Sequence, residues 1–154
     1  MDWFFDEWFD TPKTIDYGIK KVKHLKGDDY AITIKRYGMQ MPVDFSVLDK
    51  ADSVHNYHIP NNWFVKETKA TVLPRWIGWD NIQKTYTANV HIPQGIADVQ
   101  LDPTHRLADV NMLNNSHKFP LHIRFDSHIY NPMDWSKYEL FLRPDIWYNG
   151  YDGI

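Results

Sequence analysis

From Ile15 to Leu101 the chain alternates apolar and polar residues with a period of two. Turn residues interrupt the alternation about every 8–12 positions, the spacing of all-β sandwiches. Successive side chains of a strand point to opposite faces, so each such run offers one apolar face to a core. The runs are Ile15-Tyr17-Ile19, Tyr30-Ile32-Ile34, Val43-Phe45-Val47, His55-Tyr57-Ile59 and Ala70-Val72. They continue with a long run from Ile82 through Tyr86, Ala88 and Val90 to Ile92, and then Ala97-Val99-Leu101. Val22 and His24 fall out of phase with Ile19, which predicts a β-bulge at Lys20-Lys21. Lys26-Gly27-Asp28-Asp29, the polar stretch Asp49–Asp52, Pro60-Asn61-Asn62, Pro74, Pro93-Gln94-Gly95 and Asp102-Pro103 separate or end the runs. Seven or eight short strands without an intervening helical stretch predict a mainly β fold, an antiparallel immunoglobulin-like β-sandwich, and argue against a parallel α/β sheet.

Both ends depart from this pattern. In residues 2–10, DWFFDEWFD, a helical wheel places Phe4, Phe5, Trp8 and Phe9 on one side and Asp6, Glu7 and Asp10 on the other, with Trp3 near the boundary. A short N-terminal helix is expected there, ended by Thr11-Pro12. Two turns do not persist alone in water, so those aromatics must dock on something. After Pro103 the pattern loosens through LADVNMLNNS. Two further alternating runs follow, Phe119–Phe125 and Tyr138–Leu142, and then an extended aromatic tail, IWYNGYDGI.

Composition narrows the function classes. At 154 residues the chain suits one domain, or one domain plus part of a second. A chain of this size buries roughly 70% of its unfolded surface, so it needs no staple to fold. Its net charge of −3, with basic residues scattered apart from Lys20, Lys21, Lys23 and Lys26, gives none of the basic field of a nucleic-acid binder. The absence of cysteine excludes disulfides, thiol catalysis and Cys-based metal sites. No apolar stretch approaches the ~20 residues of a membrane helix. The acidic start Met1-Asp2-Trp3 does not read as a signal peptide, so a signal, if the protein is exported, lies outside this chain.

Candidate chemistry is sparse. His55 and His58, three apart on a strand, point to opposite faces and do not chelate one ion. His117, His122 and His128 are loosely spaced, and hydrogen-bonded or surface histidine is the simpler reading. Asp109, Asn111, Asn114 and Asn115 resemble part of a calcium loop but lack the Gly and bidentate Glu of an EF-hand. Turn capping is the simpler role for them, and calcium would require the fold to bring Asp98 and Asp102 near. No G-x-S-x-G elbow, P-loop or G-x-G-x-x-G is present. The segment Pro74-Arg75-Trp76-Ile77-Gly78-Trp79 puts two indoles in a connection. Exposed, Arg75, Trp76 and Trp79 would suit a sugar or peptide ligand; otherwise the indoles cap the sandwich end or pack against a neighbouring domain.

An ordered set of strings carries a resemblance: DWFFDEWFDTPKTIDYGI, MQMPVDFSV, YHIP, TVLPRW, VQLDPTHRLADVNMLNN and YELFLRPDIWYNGYDGI. Together they resemble the segment that follows the catalytic domain in bacterial gluzincin, membrane-alanyl-aminopeptidase-like zinc metallopeptidases, over nearly the whole chain. That family's catalytic domain carries H-E-x-x-H with a downstream Glu as zinc ligands, and G-x-M-E-N for the substrate. None of these strings occurs here, and histidine precedes none of Glu7, Glu67 and Glu139. The resemblance therefore implies a non-catalytic, structural chain with no cofactor of its own, zinc being expected only in the parent's catalytic domain. It implies that residues 1–12 end the helical catalytic domain, 13–103 form the β-sandwich, and 104–154 lead to a following module. The implied partners are neighbouring domains of the same polypeptide, in a periplasmic or cell-envelope protein. Trp3, Phe4, Phe5, Trp8 and Phe9 on one side and Trp147, Tyr148 and Tyr151 on the other are the expected interdomain contacts. A glycan- or peptide-binding module using the Trp loop is the alternative.

Overall fold

A computed structural model describes residues 14–62, 65, 67–77, 82–125 and 133–142. The strands are β1 (Tyr17–His24), β2 (Asp29–Arg36), β3 (Val43–Asp49), β4 (Val54–Ile59), β5 (Thr71–Val72), β6 (Thr85–His91), β7 (Ile96–Leu101), β8 (Leu121–Arg124) and β9 (Tyr138–Phe141). Among the described residues the single helical element is the 3-10 turn Met112–Asn114. The helix expected at residues 2–10 lies outside the described residues, as does the aromatic tail. The chain is thus mainly β, in three sheets ordered β1-β2-β6, β5-β4-β3-β7 and β8-β9.

The apolar alternation sets which faces turn inward. The register shift between Ile19 and Lys21 puts Ile19 opposite Ile34 and Val22 opposite Ile32. Lys20 is the extra residue, and it lets two apolar side chains three apart in β1 meet partners two apart in β2. On β6, Tyr86, Ala88 and Val90 face Ile34, Ile32 and Tyr30. In the second sheet Phe45 lies between Tyr57 and Leu101, and Val47 between His55 and Val99. Phe45 stacks on Tyr57 with ring centroids 5.0 Å apart. The inward residues of both sheets join in one buried cluster that includes Tyr17, Ile32, Ile34, Phe45, Val47 and Val99. Full burial of each such aliphatic or aromatic side chain is worth about 1.5–3 kcal/mol.

Polar devices fix the ends of the elements. The buried Tyr17 hydroxyl accepts a hydrogen bond from Met41 N at 2.7 Å and donates to Met41 O at 3.1 Å, tying β1 to the β2–β3 connection. Asp49, at the β3–β4 hairpin, accepts from Ala51 N and Ser53 N, and its second oxygen meets His55 Nε2 at 3.0 Å. The His55 contact, followed by the Ser53 N–H, holds the Asp49 carboxyl below its ordinary value. Asp102, with φ +41°, accepts from Arg106 N and Leu107 N and folds the chain back after β7.

Two expectations are corrected. Pairing is not wholly antiparallel, since β4–β5 and β8–β9 are parallel. The run from Ile82 does not start a strand there. Ile82 is exposed and β6 begins at Thr85, because the inward face of the sheet is already filled from Tyr86 onward. Of the two roles weighed for the Trp76 indole, display and capping of the sandwich end, it takes the second. It is 3% exposed, sits edge-on to Tyr17 at 5.7 Å and tilted against Tyr86 at 5.5 Å, and donates from Nε1 to Gln83 O. Its N–H bonds Pro60 O just after β4, and its carbonyl accepts from Gln40 Nε2, so the connection is tied to the end of β4 and to the β2–β3 connection.

Candidate functional site

The chain after β7 returns to the two larger sheets before leaving them. Asn115–His117 runs beside β7 with an antiparallel Gln100–Ser116 bridge, Leu101 N donating to Asn115 O and His117 N to Val99 O. Asp109 forms a parallel bridge with Ile15. Pro120 then leads into β8, whose only strand partner among the described residues is β9.

The β8–β9 register pairs Leu121 with Tyr138 and Ile123 with Leu140, so these four side chains share one face. Each is between 46% and 49% exposed. Phe119 stacks on Tyr138 at 5.1 Å and is itself exposed, and the exposed Phe125 and Leu142 extend the alternation beyond the strands. The opposite face carries His122, Arg124, Glu139 and Phe141. There the Glu139 carboxylate is 3.3 Å from Arg124 Nη1 and 3.7 Å from His122 Nδ1, and the Arg124 guanidinium lies over the Phe141 ring. One face of this ribbon is therefore organised by charge and the other is apolar and exposed. Just before β9, hydrogen bonds from the Ser136 hydroxyl and then Lys137 hold the Asp134 carboxyl down at about 2. A concavity of about 260 Å³ lies beside the ribbon's base, where Asp98, Ser116 and Lys118 meet Phe119, Leu121 and Lys137.

The residues singled out in the sequence fall into three groups. Trp3, Phe4, Phe5, Trp8, Phe9, Trp79, Trp147, Tyr148 and Tyr151 lie outside the described residues, as does His128. Trp76 is a core residue, while Arg75 beside it is exposed. The histidines are used one at a time: His55 with Asp49, His58 with Asp44 at 2.6 Å, and His91 with Asp29 at 2.9 Å. Among the described residues no three His, Asp or Glu side chains are grouped to hold a metal ion. Asp98 takes hydrogen bonds from Ser116 Oγ and Lys118 N of the returning segment, whereas Asp102 caps its own turn. Asp109 instead accepts from Tyr17 N and Asn111 N, and Asn114 Nδ2 donates to Asp16 Oδ1. Burial raises the Asp109 carboxyl above its ordinary value, and the nearby Asp16 charge adds to that rise.

The apolar face of β8–β9 was not selected from the sequence as a site. Its signal was present as the two alternating runs, but pairing across the intervening segment is a tertiary fact. Comparisons with family models, with curated proteins and with solved structures return no match.

Proposed function

We propose that this chain is a non-catalytic, structural β-sandwich domain of a larger zinc aminopeptidase-like protein, and that it positions neighbouring domains of the same polypeptide. The observation that carries the reading is the open apolar face of Leu121, Ile123, Tyr138 and Leu140, with Phe119 stacked at its edge. An interdomain contact needs such a face, and a solvent-facing ribbon does not retain one without a partner. The family resemblance of the sequence supplies the partner class, a zinc-peptidase catalytic domain preceding the chain and a further module following it.

The immunoglobulin-like reading of the sandwich is supported by strand order. The first, second and sixth strands form one sheet, and the third, fourth and seventh share the other. The segment 115–117 adds to β7 where a closing strand of that order belongs. The glycan- or peptide-binding alternative loses one of its two indoles, because Trp76 is committed to the core.

Two measurements test the reading. The coding sequence upstream of Met1 should contain an in-frame H-E-x-x-H, and an upstream region without it counts against the parent class. The upstream portion, produced separately, should bind the full chain by calorimetry, and the pair Ile123→Asp and Leu140→Asp should abolish that binding with the melting temperature unchanged. Equal affinity of the variant would remove the interdomain role from this face.

A further inference from the structure

The basic run Lys20, Lys21, Lys23 and Lys26 lies on β1 and the turn that follows it. The bulge decides which way it faces. Ile19 and Val22 both turn toward the core, opposite Ile34 and Ile32. The two lysines between them are left on the outer side of the sheet, and both are exposed. A regular strand would send Lys20 and Lys21 to opposite faces, one of them against the core. Lys23 follows on the outer side about 7 Å from Lys21. Lys35 of β2, the partner of Gly18, shares that side.

The rest of the face is small or uncharged: Ala31 and Thr33 on β2, Thr85, Thr87 and Asn89 on β6. Its carboxylates sit at opposite ends, and each is already bonded. Asp29 meets His91 Nδ1 at 2.9 Å, and Asp16, just before β1, accepts from Asn114 Nδ2. Lys26, in the turn, is offset by Asp28 two residues on. Among the described residues none of Lys20, Lys21, Lys23 and Lys35 is ion-paired. The Lys35 ammonium stands instead 4.4 Å from the centre of the exposed Tyr37 ring. A chain of net charge −3 thus keeps four unneutralised ammonium groups on one side of one sheet. Like charges so placed repel one another and contribute nothing to the fold, and an anionic surface is their complement.

The make-up of the face distinguishes among anions. Protein interfaces are depleted in lysine and built round a desolvated apolar centre, which this face lacks. Base readout and strand stacking in nucleic acids rely on arginine and on rows of aromatic rings, and here there is no arginine and one tyrosine. Lysine ammonium groups are hydrated point charges on flexible stems, suited to a diffuse layer of phosphates more than to one bidentate site. Four of them reach the lower end of the basic clusters that hold proteins at anionic bilayers, and an exposed tyrosine beside them suits the headgroup level.

We propose that the outer face of the β1-β2-β6 sheet lies against an anionic phospholipid surface, held by Lys20, Lys21, Lys23 and Lys35 with Tyr37 at its edge. The contact is peripheral and electrostatic. It involves neither β8 nor β9, so it is independent of the interdomain reading.

Cosedimentation of the full chain with vesicles tests this. At about 0.1 M salt, vesicles of about 30% phosphatidylglycerol in phosphatidylcholine should carry the chain down, and pure phosphatidylcholine should not. At about 0.5 M salt the attraction is screened and the chain should be released. Each lysine near such a surface contributes about fivefold to partitioning, so Lys21→Gln with Lys23→Gln should weaken it about 25-fold at an unchanged melting temperature. Lys50→Gln with Lys69→Gln, in connections of the other sheet, changes the net charge equally and should leave partitioning within about twofold. Equal cosedimentation with neutral and anionic vesicles overturns the proposal, as does a loss no greater for the β1 pair than for the other pair. No binding to either vesicle also overturns it, and retention on immobilised heparin in that case assigns the face to a soluble polyanion.

Discussion

Replacing Trp76 separates a core indole from a displayed one. The side chain is 3% exposed, contacts two tyrosine rings, and donates to Gln83 O at 2.9 Å. A tryptophan buries about 150–250 Å². At about 25 cal/mol per Å² that is ~4–6 kcal/mol, of which alanine keeps a small part. The remaining cavity and the unpaired Gln83 carbonyl add to the loss, so Trp76→Ala should cost about 3–5 kcal/mol. Trp76→Phe keeps most of the ring but drops the N–H donor, and should cost about 1.5–2.5 kcal/mol. Equilibrium urea unfolding at 25 °C, followed by far-UV circular dichroism, reads both, since the substitution itself changes the fluorescence. With a slope of about 2 kcal/mol/M the alanine midpoint should fall by about 2 M, and the phenylalanine midpoint by about 1 M. A loss below about 1 kcal/mol for Trp76→Ala would refute the core assignment and restore the indole as a ligand contact.

Other outcomes follow from the same geometry. Tyr17→Phe removes the hydroxyl that bridges both backbone groups of Met41, and should cost about 2 kcal/mol by urea unfolding with unchanged slope. Gly38→Ala should lower Tm sharply, because a Cβ at that position falls on the carbonyl of Thr14, and a melt matching the native chain would disprove that close approach. The Asp49 carboxyl is depressed in the folded state, so its contribution is fully present above the unfolded value of 3.8 and is lost as pH falls through the folded one. Asp49→Asn should therefore flatten the acid limb of stability against pH below about pH 4, a limb read from urea midpoints. Ile123→Asp, on the open face of β8, should leave the stability of the isolated chain within about 0.5 kcal/mol, whereas Val47→Asp in the shared core should unfold it.

How much was legible in advance depended on the range of the interaction responsible. Ile32, Ile34, Phe45, Val47, Val99 and Leu101 declare their inward faces by alternation alone, and the slip at Lys20-Lys21 announces its bulge, because both are properties of neighbouring residues. The turn at Lys26–Asp29 and the stop at Asp102-Pro103 are local for the same reason. Trp76 was harder: its segment has the composition of a displayed loop, and only the rings of Tyr17 and Tyr86, distant in sequence, make it a core residue. His55 and His58 were separable by strand geometry, but their carboxylate partners Asp49 and Asp44 depend on the β3–β4 pairing.

The amino-acid order by itself determined that this chain is built of short strands, where most of them turn, and which side chains each one hides. Those are consequences of backbone period and turn chemistry acting over a few residues. Tertiary structure alone decided that β8 and β9 pair in parallel with an apolar side open, and that Asn114 reaches Asp16 at the head of the first strand. These contacts join residues as much as 98 positions apart, and their free energy exists only once the intervening chain has been ordered.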